Sequence, residues 1–389
     1  MRRGICWLMV LWLVLSGGAV RAAEAGEPEV GSTAAVLMER ETGTVIYAKA
    51  EHAHLSPASV TKVMTLLLIA EAVDSGQLGA EEIVTGSARA ASMGGSQIWL
   101  KEGEQMTVAE MTKCVAVVSA NDCAVALAEH LCGSEEAFTA RMNERAGELG
   151  MADTHFTNCT GLFEDPDHYT SAYDVALMSR ELLYHEFIRP FTTLWTDTIR
   201  GGSFGLTNTN KLVRFYPGCT GLKTGFTSRA MFCLAASAMR EGTEYIAVIL
   251  HDDTSQRRFD DARKLLDYAF ANYALVTPAA DALPRVRVRL GTADSVGVRC
   301  AESGKLLLDK RLRPAMETRL ELPEEVAAPV EEGQTLGWLI LTVNGQEVSR
   351  VPLLPEESVA RLGLGQIWLE LVRGLFAGEK TPDKMAGRT

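Results

Sequence analysis

Three short stretches of the chain carry side chains suited to acyl transfer. The first is Ser59-Val60-Thr61-Lys62, which opens an apolar run reaching Val73. Apolar residues recur every three or four positions after Ser59, and Pro57 and Ser59 suit a helix start. Residues three apart lie on one helical face, so the Lys62 amine is expected beside the Ser59 hydroxyl. Backbone N–H groups at a helix N-terminus favour developing negative charge. A serine there, with a lysine one turn on, can be a nucleophile with its base. A capped core helix with a solvated lysine would show the same spacing, and Ser-x-x-Lys occurs by chance about once in a chain of this size. The second stretch is Ser119-Ala120-Asn121, between two apolar helical runs, where a hydroxyl and an amide two apart can serve one cavity. The third, Lys223-Thr224-Gly225, opens a strand; it offers a charge, a hydroxyl and a glycine that admits a ligand close to the backbone.

Elements to position these residues follow from the pattern around them. Residues 33–40 and 44–49 flank Glu41-Thr42-Gly43 and read as a β-hairpin before the Ser59 helix. His52 and His54 between them read as a solvated turn, since no carboxylate or third histidine accompanies them in sequence. From Ala80 to about Leu183 the pattern is mostly helical, with a turn-rich interruption at Asn158–His168. Strands return after Arg189. Residues 218–227, 231–238 and 245–250, joined by short turns, predict antiparallel pairing, and Ser255–Tyr273 a closing amphipathic helix. The fold class expected is α/β (α+β): an antiparallel sheet with helices and a helical insertion. Residues 275–354 alternate as short strands, with a hairpin turn at Asn344-Gly345, and suggest a small β-sandwich-like domain.

Composition sets the class. The 389 residues suggest two or three domains; apolar residues at 47% allow a large core, and a formal charge of −12 argues against a nucleic-acid partner. Arg2 and Arg3, an apolar run over residues 5–15 and small residues to Ala22 read as a secretory signal over 1–22, with a retained anchor as the alternative. Seven cysteines lie beyond it; an odd number without Cys-x-x-Cys argues against a zinc site or a complete disulfide framework, leaving one disulfide open. Within 355–378, Leu364, Ile367, Trp368, Leu371, Val372, Leu375 and Phe376 form one apolar helical face, suited to a membrane surface or to packing on a partner; a tail follows over 379–389. Gly201–Gly205 matches a Gly-x-Ser-x-Gly elbow, but Leu206-Thr207-Asn208 is a poor helix start, so a turn between strands is expected.

The three stretches, in this order, resemble the boxes of the penicillin-recognising serine enzymes. Residues 57–62, 119–122 and 221–227 look most like the low-molecular-mass D-alanyl-D-alanine carboxypeptidases of peptidase family S11, a resemblance spanning about Val30 to Val351. It implies a DD-peptidase-like catalytic domain over 23–274 that cleaves the D-Ala-D-Ala end of peptidoglycan stem peptides through an acyl-enzyme on Ser59, and is inhibited by β-lactams. It implies Lys62 as base, Ser119 as proton relay, Asn121 holding Lys62 and the substrate amide, Lys223 and Thr224 on the terminal carboxylate beside Gly225, and the N–H groups of Ser59 and Phe226 on the oxyanion. Lys62 must then be partly neutral, through burial or the like charge of Lys223. No cofactor or metal is implied. Departures are Phe226 where some relatives have histidine, Asn208-Thr209-Asn210 where some have Asn-Arg-Asn, with Arg229 a weaker carboxylate ligand, and Met231 where glycine is common. Rival readings are a non-catalytic penicillin-sensing or peptidoglycan-binding module, which the intact Ser59/Lys62 pair disfavours, and a class A-like β-lactamase, for which no Glu-x-x-x-Asn loop lies between the second and third boxes.

Overall fold

The computed structural model describes residues 26–277, 283–301 and 305–368. The signal region 1–22, the tail 379–389 and the terminal helix beyond Trp368 lie outside the described residues. The chain divides into two units: one runs to Leu275 and takes in Leu307–Arg311, the other holds Val276–Leu306 and the chain from Leu312.

The first unit is built on a five-stranded antiparallel sheet. Its strands are β1 (Ala34–Glu39), β2 (Val45–Lys49), β3 (Cys219–Thr227), β4 (Met231–Arg240) and β5 (Thr243–Asp252), in the order β2-β1-β5-β4-β3. β1 reads Ala-Ala-Val-Leu-Met-Glu and is buried throughout because both of its faces are covered. Ala34, Val36 and Met38 join the core beneath the helices, whereas Ala35 and Leu37 meet the opposite core. That second core is supplied by α6 (Ser255–Asn272) through Phe259, Ala262, Leu265 and Leu266. The helical side comprises α1 (Lys62–Asp74), α2 (Val108–Val118), α3 (Asn121–Cys132), α4 (Glu135–Glu148) and α5 (Ala172–Leu182).

α1 is buried on nearly every side, which explains its run of Val, Met, Leu and Ile. It begins later than the sequence suggests: Ala58–Thr61 form a 3₁₀ turn, and the α-helix starts at Lys62. α2 starts at a capping box formed by Thr107 and Glu110 and ends at Ser119, whose φ of 64° breaks the helix before α3 resumes. The Gly201–Gly205 stretch is a turn joining two short strands, Thr196–Ile199 and Phe204–Thr207, and no helix follows Ser203.

The second unit is all β. A three-stranded sheet contains Val286–Arg289, Ser295–Val296 and Glu325–Ala327; a four-stranded sheet contains Val298–Cys300, Met316–Glu321, Gly337–Val343 and Gln346–Pro355. Val286, Val296, Leu339 and Leu353 from both sheets share one core. The last two strands turn at Asn344 (φ 51°) and Gly345 (φ 76°), the left-handed pair that a two-residue hairpin requires. The seven cysteines of the described residues are all free, and Cys114, Cys123, Cys159 and Cys233 are buried.

Candidate active site

A ring of contacts joins the three stretches around one cleft. At Gly225 on β3, an added Cβ would lie 2.7 Å from the Pro57 carbonyl oxygen and 3.1 Å from the Ser59 nitrogen. Only glycine permits this approach of the strand to the Ser59 turn. Next to it, Thr224 Oγ1 donates to Thr209 Oγ1 (2.7 Å). Thr209 N–H donates to Val117 O (3.0 Å), two residues before Ser119. Asn121 then donates to two carbonyls of the preceding loop, from Nδ2 to Gly94 O (2.7 Å) and from its N–H to Ser96 O (2.7 Å). Gly95 between them faces Asn121 and Leu162. The circle closes where Gly161 packs on Ala58 and Thr61.

Inside this ring Lys62 is fully buried. Its Nζ lies 3.0 Å from Ser59 Oγ and donates to Thr160 O at 2.9 Å. Burial brings its pKa down to about 7, against a weaker opposing pull from Cys159 and Asp122. The Cys159 thiol is itself pushed well up by burial, then by Glu135, and stays protonated. A neutral Lys62 can hold Thr160 O with one N–H and take the Ser59 proton on its lone pair. Burial also holds Lys223 well below the usual lysine range, with repulsion from Lys62 and then Arg258 adding to it. Burial, more than the second lysine, therefore favours the neutral amine at Lys62. Lys223 Nζ donates to Thr224 O (3.0 Å).

Ser119 Oγ and Asn121 Oδ1 are buried without a protein partner. Buried polar atoms of that kind are rare, and at a cleft they await a ligand or solvent. Asn121 makes its amide contact to Gly94 rather than to Lys62, whose acceptor is Thr160 O. Phe226 is exposed and stacks on Phe232 with centroids 4.4 Å apart. Arg229 is exposed, and its N–H, like the Ser228 hydroxyl, is held by the Glu164 carboxylate.

Several supporting contacts are invisible to motif reading. Asn158 Oδ1 accepts from Thr160 N (3.1 Å) and Gly161 N (2.7 Å), folding the turn that presents Thr160 O to Lys62. Asp122, buried one residue past Asn121, accepts from the N–H groups of Ile98, Leu100 and Cys123. Arg258 on α6 donates to Gly225 O (2.8 Å) and Cys233 O (3.2 Å), fixing β3 from its other side. The Asp122 contacts to Ile98 and Leu100 and the two Arg258 contacts join residues 22 to 33 apart and have no local signature.

The histidine pair near the hairpin needs a correction: Asp153 accompanies it, with Oδ2 2.8 Å from His52 Nδ1 and Oδ1 3.2 Å from His54 Nε2. Both rings are exposed, and the aspartate links them across a solvated turn. Among the described residues, Glu71, Glu181 and His185 could gather around a metal ion. The Arg145 guanidinium pairs with both carboxylates, at 2.8 and 3.0 Å, and already supplies the cation there.

Residues 21–254 match the family described as D-alanyl-D-alanine carboxypeptidase, and residues 275–361 the C-terminal domain of penicillin-binding protein 5. The chain is 41% identical over 335 residues to the D-alanyl-D-alanine carboxypeptidase DacF of Bacillus subtilis, covering 85% of this chain and 86% of the relative. It is 30% identical over 352 residues to DacC of Escherichia coli, covering 88% of each. Among solved structures, penicillin-binding protein 5 from Haemophilus influenzae superposes with a TM-score of 0.76 at 27% identity, covering 87% of this chain and all of that one. Penicillin-binding protein 6B from Escherichia coli gives 0.71 at 30% identity, covering 86% and 99%.

Proposed function

This chain belongs to the D-alanyl-D-alanine carboxypeptidase family, and we propose on that premise that it removes the terminal D-alanine from peptidoglycan stem peptides ending in D-Ala-D-Ala. The observation that carries the reading is the buried Lys62 amine, 3.0 Å from Ser59 Oγ with a pKa near neutrality. Lys62 takes the Ser59 proton as Oγ attacks the carbonyl between the two D-alanines. The oxyanion rests on the backbone N–H groups of Ser59 and Phe226. The C–N bond breaks, and the proton passes through the unpartnered Ser119 hydroxyl to the leaving amine. Asn121, with its free Oδ1, holds the substrate amide. Lys223 and Thr224, beside Gly225, hold the terminal carboxylate, and Thr209 adds a second hydroxyl where an arginine is absent. Water then cleaves the ester, with Lys62 again taking a proton. β-Lactams acylate Ser59 by the same attack.

We infer that the enzyme works outside the cytoplasmic membrane, seated on its outer face; the signal pattern over 1–22 and the apolar face after Leu362 support this reading. Leu364 and Trp368, one turn apart, are exposed at 88% and 67%, which supports that seat. The test is twofold: a fluorescent penicillin labels Ser59, and a diacyl-D-Ala-D-Ala peptide releases D-alanine. Labelling that survives Ser59→Ala rejects the nucleophile; labelling without D-alanine release favours a sensor.

A further inference from the structure

One large aromatic side chain stands in solvent at a backbone angle that resists it. Trp99 is 65% exposed, and its φ is 55°. A bulky residue in the left-handed region is an outlier and persists only where its surroundings force it. Here they do. The Asp122 carboxylate accepts from the N–H groups on either side, Ile98 and Leu100, both at 3.0 Å. The Arg200 guanidinium takes Ile98 O at 2.8 Å and Trp99 O at 3.4 Å. Glu104 fixes Arg200 in turn, at 2.7 and 3.1 Å. The indole meets Phe204 edge to face, with centroids 5.9 Å apart, and Arg200 lies over the Phe204 ring. Trp99, Glu104, Arg200 and Phe204, with Lys101, line a groove of about 610 Å³.

Both walls of the groove run into the cleft already described. The Trp99 loop supplies Gly94 O and Ser96 O to Asn121. The strand Phe204–Thr207 leads directly to Asn208 and Thr209, and Thr209 meets Thr224. The groove is therefore tied to the cleft of Ser59 and Lys223 through two segments, the loop before Trp99 and the strand after Phe204. The lining is a rigid aromatic edged by charges of both signs: Lys101, Glu102, Glu104 and Arg200. A pyranose ring matches it, with a flat C–H face for the indole and hydroxyl or acetamido groups for the rim. An anionic membrane surface would meet Glu102 and Glu104, and a purely apolar partner would leave the rim unpaired.

We propose that the Trp99 groove is a glycan subsite, holding an amino sugar joined to the stem peptide whose end is being cleaved. The inference rests on the carboxypeptidase reading, and the experiment separates the two. The full chain is assayed on a disaccharide-pentapeptide of amino sugars and on the same pentapeptide without sugars. Wild type favours the sugar-bearing substrate by about tenfold in kcat/KM, mostly through KM, since one aromatic contact is worth that order. Trp99→Ala abolishes the preference and leaves the sugar-free rate within about twofold; Trp99→Phe keeps part of it. Equal use of both substrates by wild type overturns the subsite. So does an equal loss on both in Trp99→Ala, which would make Trp99 structural. Calorimetric titration with the peptide-free tetramer of N-acetylglucosamine is independent of turnover. Weak binding that Trp99→Ala removes supports the subsite even if neither peptide is cleaved, in which case the carboxypeptidase reading alone fails. No binding, with Trp99-dependent self-association in sedimentation, overturns the subsite in favour of a second protein chain.

Discussion

At the scale of single residues, the chemistry turns on which groups are neutral. Lys62 works as a base only as a free amine, and burial places its pKa at about 7. Acylation of Ser59 by a chromogenic β-lactam is therefore expected to rise from pH 6 to 8 with an apparent pKa near 7. A flat profile would remove Lys62 from that role. A lysine whose folded pKa falls below its unfolded value contributes full stability only above the unfolded pKa, and the cost is nearly complete by pH 7. Lys62→Met should accordingly abolish acylation and raise stability by roughly 1–3 kcal/mol in urea unfolding at pH 7. His168 shows the same physics in support of the site. Its Nδ1 accepts from Thr157 N–H (3.0 Å), so Nε2 carries the proton and donates to Thr61 Oγ1 (2.8 Å), which donates to Ala58 O (2.8 Å). Burial lowers its pKa to about 4. The neutral form is the folded one, so its contribution is complete above pH 6.5 and is lost as pH falls towards 4. Between pH 7 and pH 5 that is a loss of roughly 2 kcal/mol. In His168→Gln the urea-unfolding free energy should depend less on pH over this interval by that amount. An unchanged difference would show that His168 titrates freely.

At the scale of elements, the cleft depends on how closely a strand can approach a turn. Gly225→Ala would put a Cβ 2.7 Å from Pro57 O and 3.1 Å from the Ser59 and Val60 nitrogens, all backbone atoms of one turn. The Ala58–Thr61 turn must then retreat by a few tenths of an ångström or more, carrying Ser59 from its partner donors. Acylation should fall about a hundredfold while the unfolding midpoint changes little, because misplacement of that size is costly for chemistry. Stopped-flow acylation beside thermal unfolding measures both, and a full acylation rate would mean that the strand, not the turn, gives way. The boxes themselves were legible because each is local: Ser59 and Lys62 are one turn apart, and Lys223 to Gly225 are contiguous. The sheet was legible from the short apolar runs at 218–227, 231–238 and 245–250 and the short turns between them. Other features were not. Pro57 and Ser59 point to a helix start, yet the backbone needs a 3₁₀ turn first, and Ala58 sits at φ 47° because Gly161 and Gly225 press the turn from two sides. The acceptor for Lys62 is a main-chain carbonyl, Thr160 O, which no residue type reveals. Asp153 reaches His52 from 101 positions away, so the turn reads as carboxylate-free until the chain folds.

At the scale of the whole molecule, every residue of the catalytic ring, from Pro57 to Arg258, belongs to the first unit. The second unit has its own apolar core. Activity on a soluble peptide should then be independent of the terminal apolar stretch, whereas activity on substrate at a membrane should depend on it. Leu364 and Trp368 leave their apolar surface in solvent, and the pattern of apolar residues continues to Phe376. Among the described residues no helix is long and apolar enough to cross a membrane. The one-sided apolar pattern itself predicts surface seating. Few cations accompany the face (Arg361, Arg373 and Lys380), so apolar burial rather than charge should dominate the binding. The mature chain should sediment with vesicles of phosphatidylethanolamine and phosphatidylglycerol, and only weakly lose that association as salt rises, because apolar burial is not screened. A chain ending at Leu362 should stay in the supernatant and release D-alanine from a soluble peptide at the full rate. Persistent sedimentation of the shortened chain would move the membrane contact elsewhere. Loss of its activity would show that the terminal stretch supports the fold, and that its apolar face packs on protein instead of lipid.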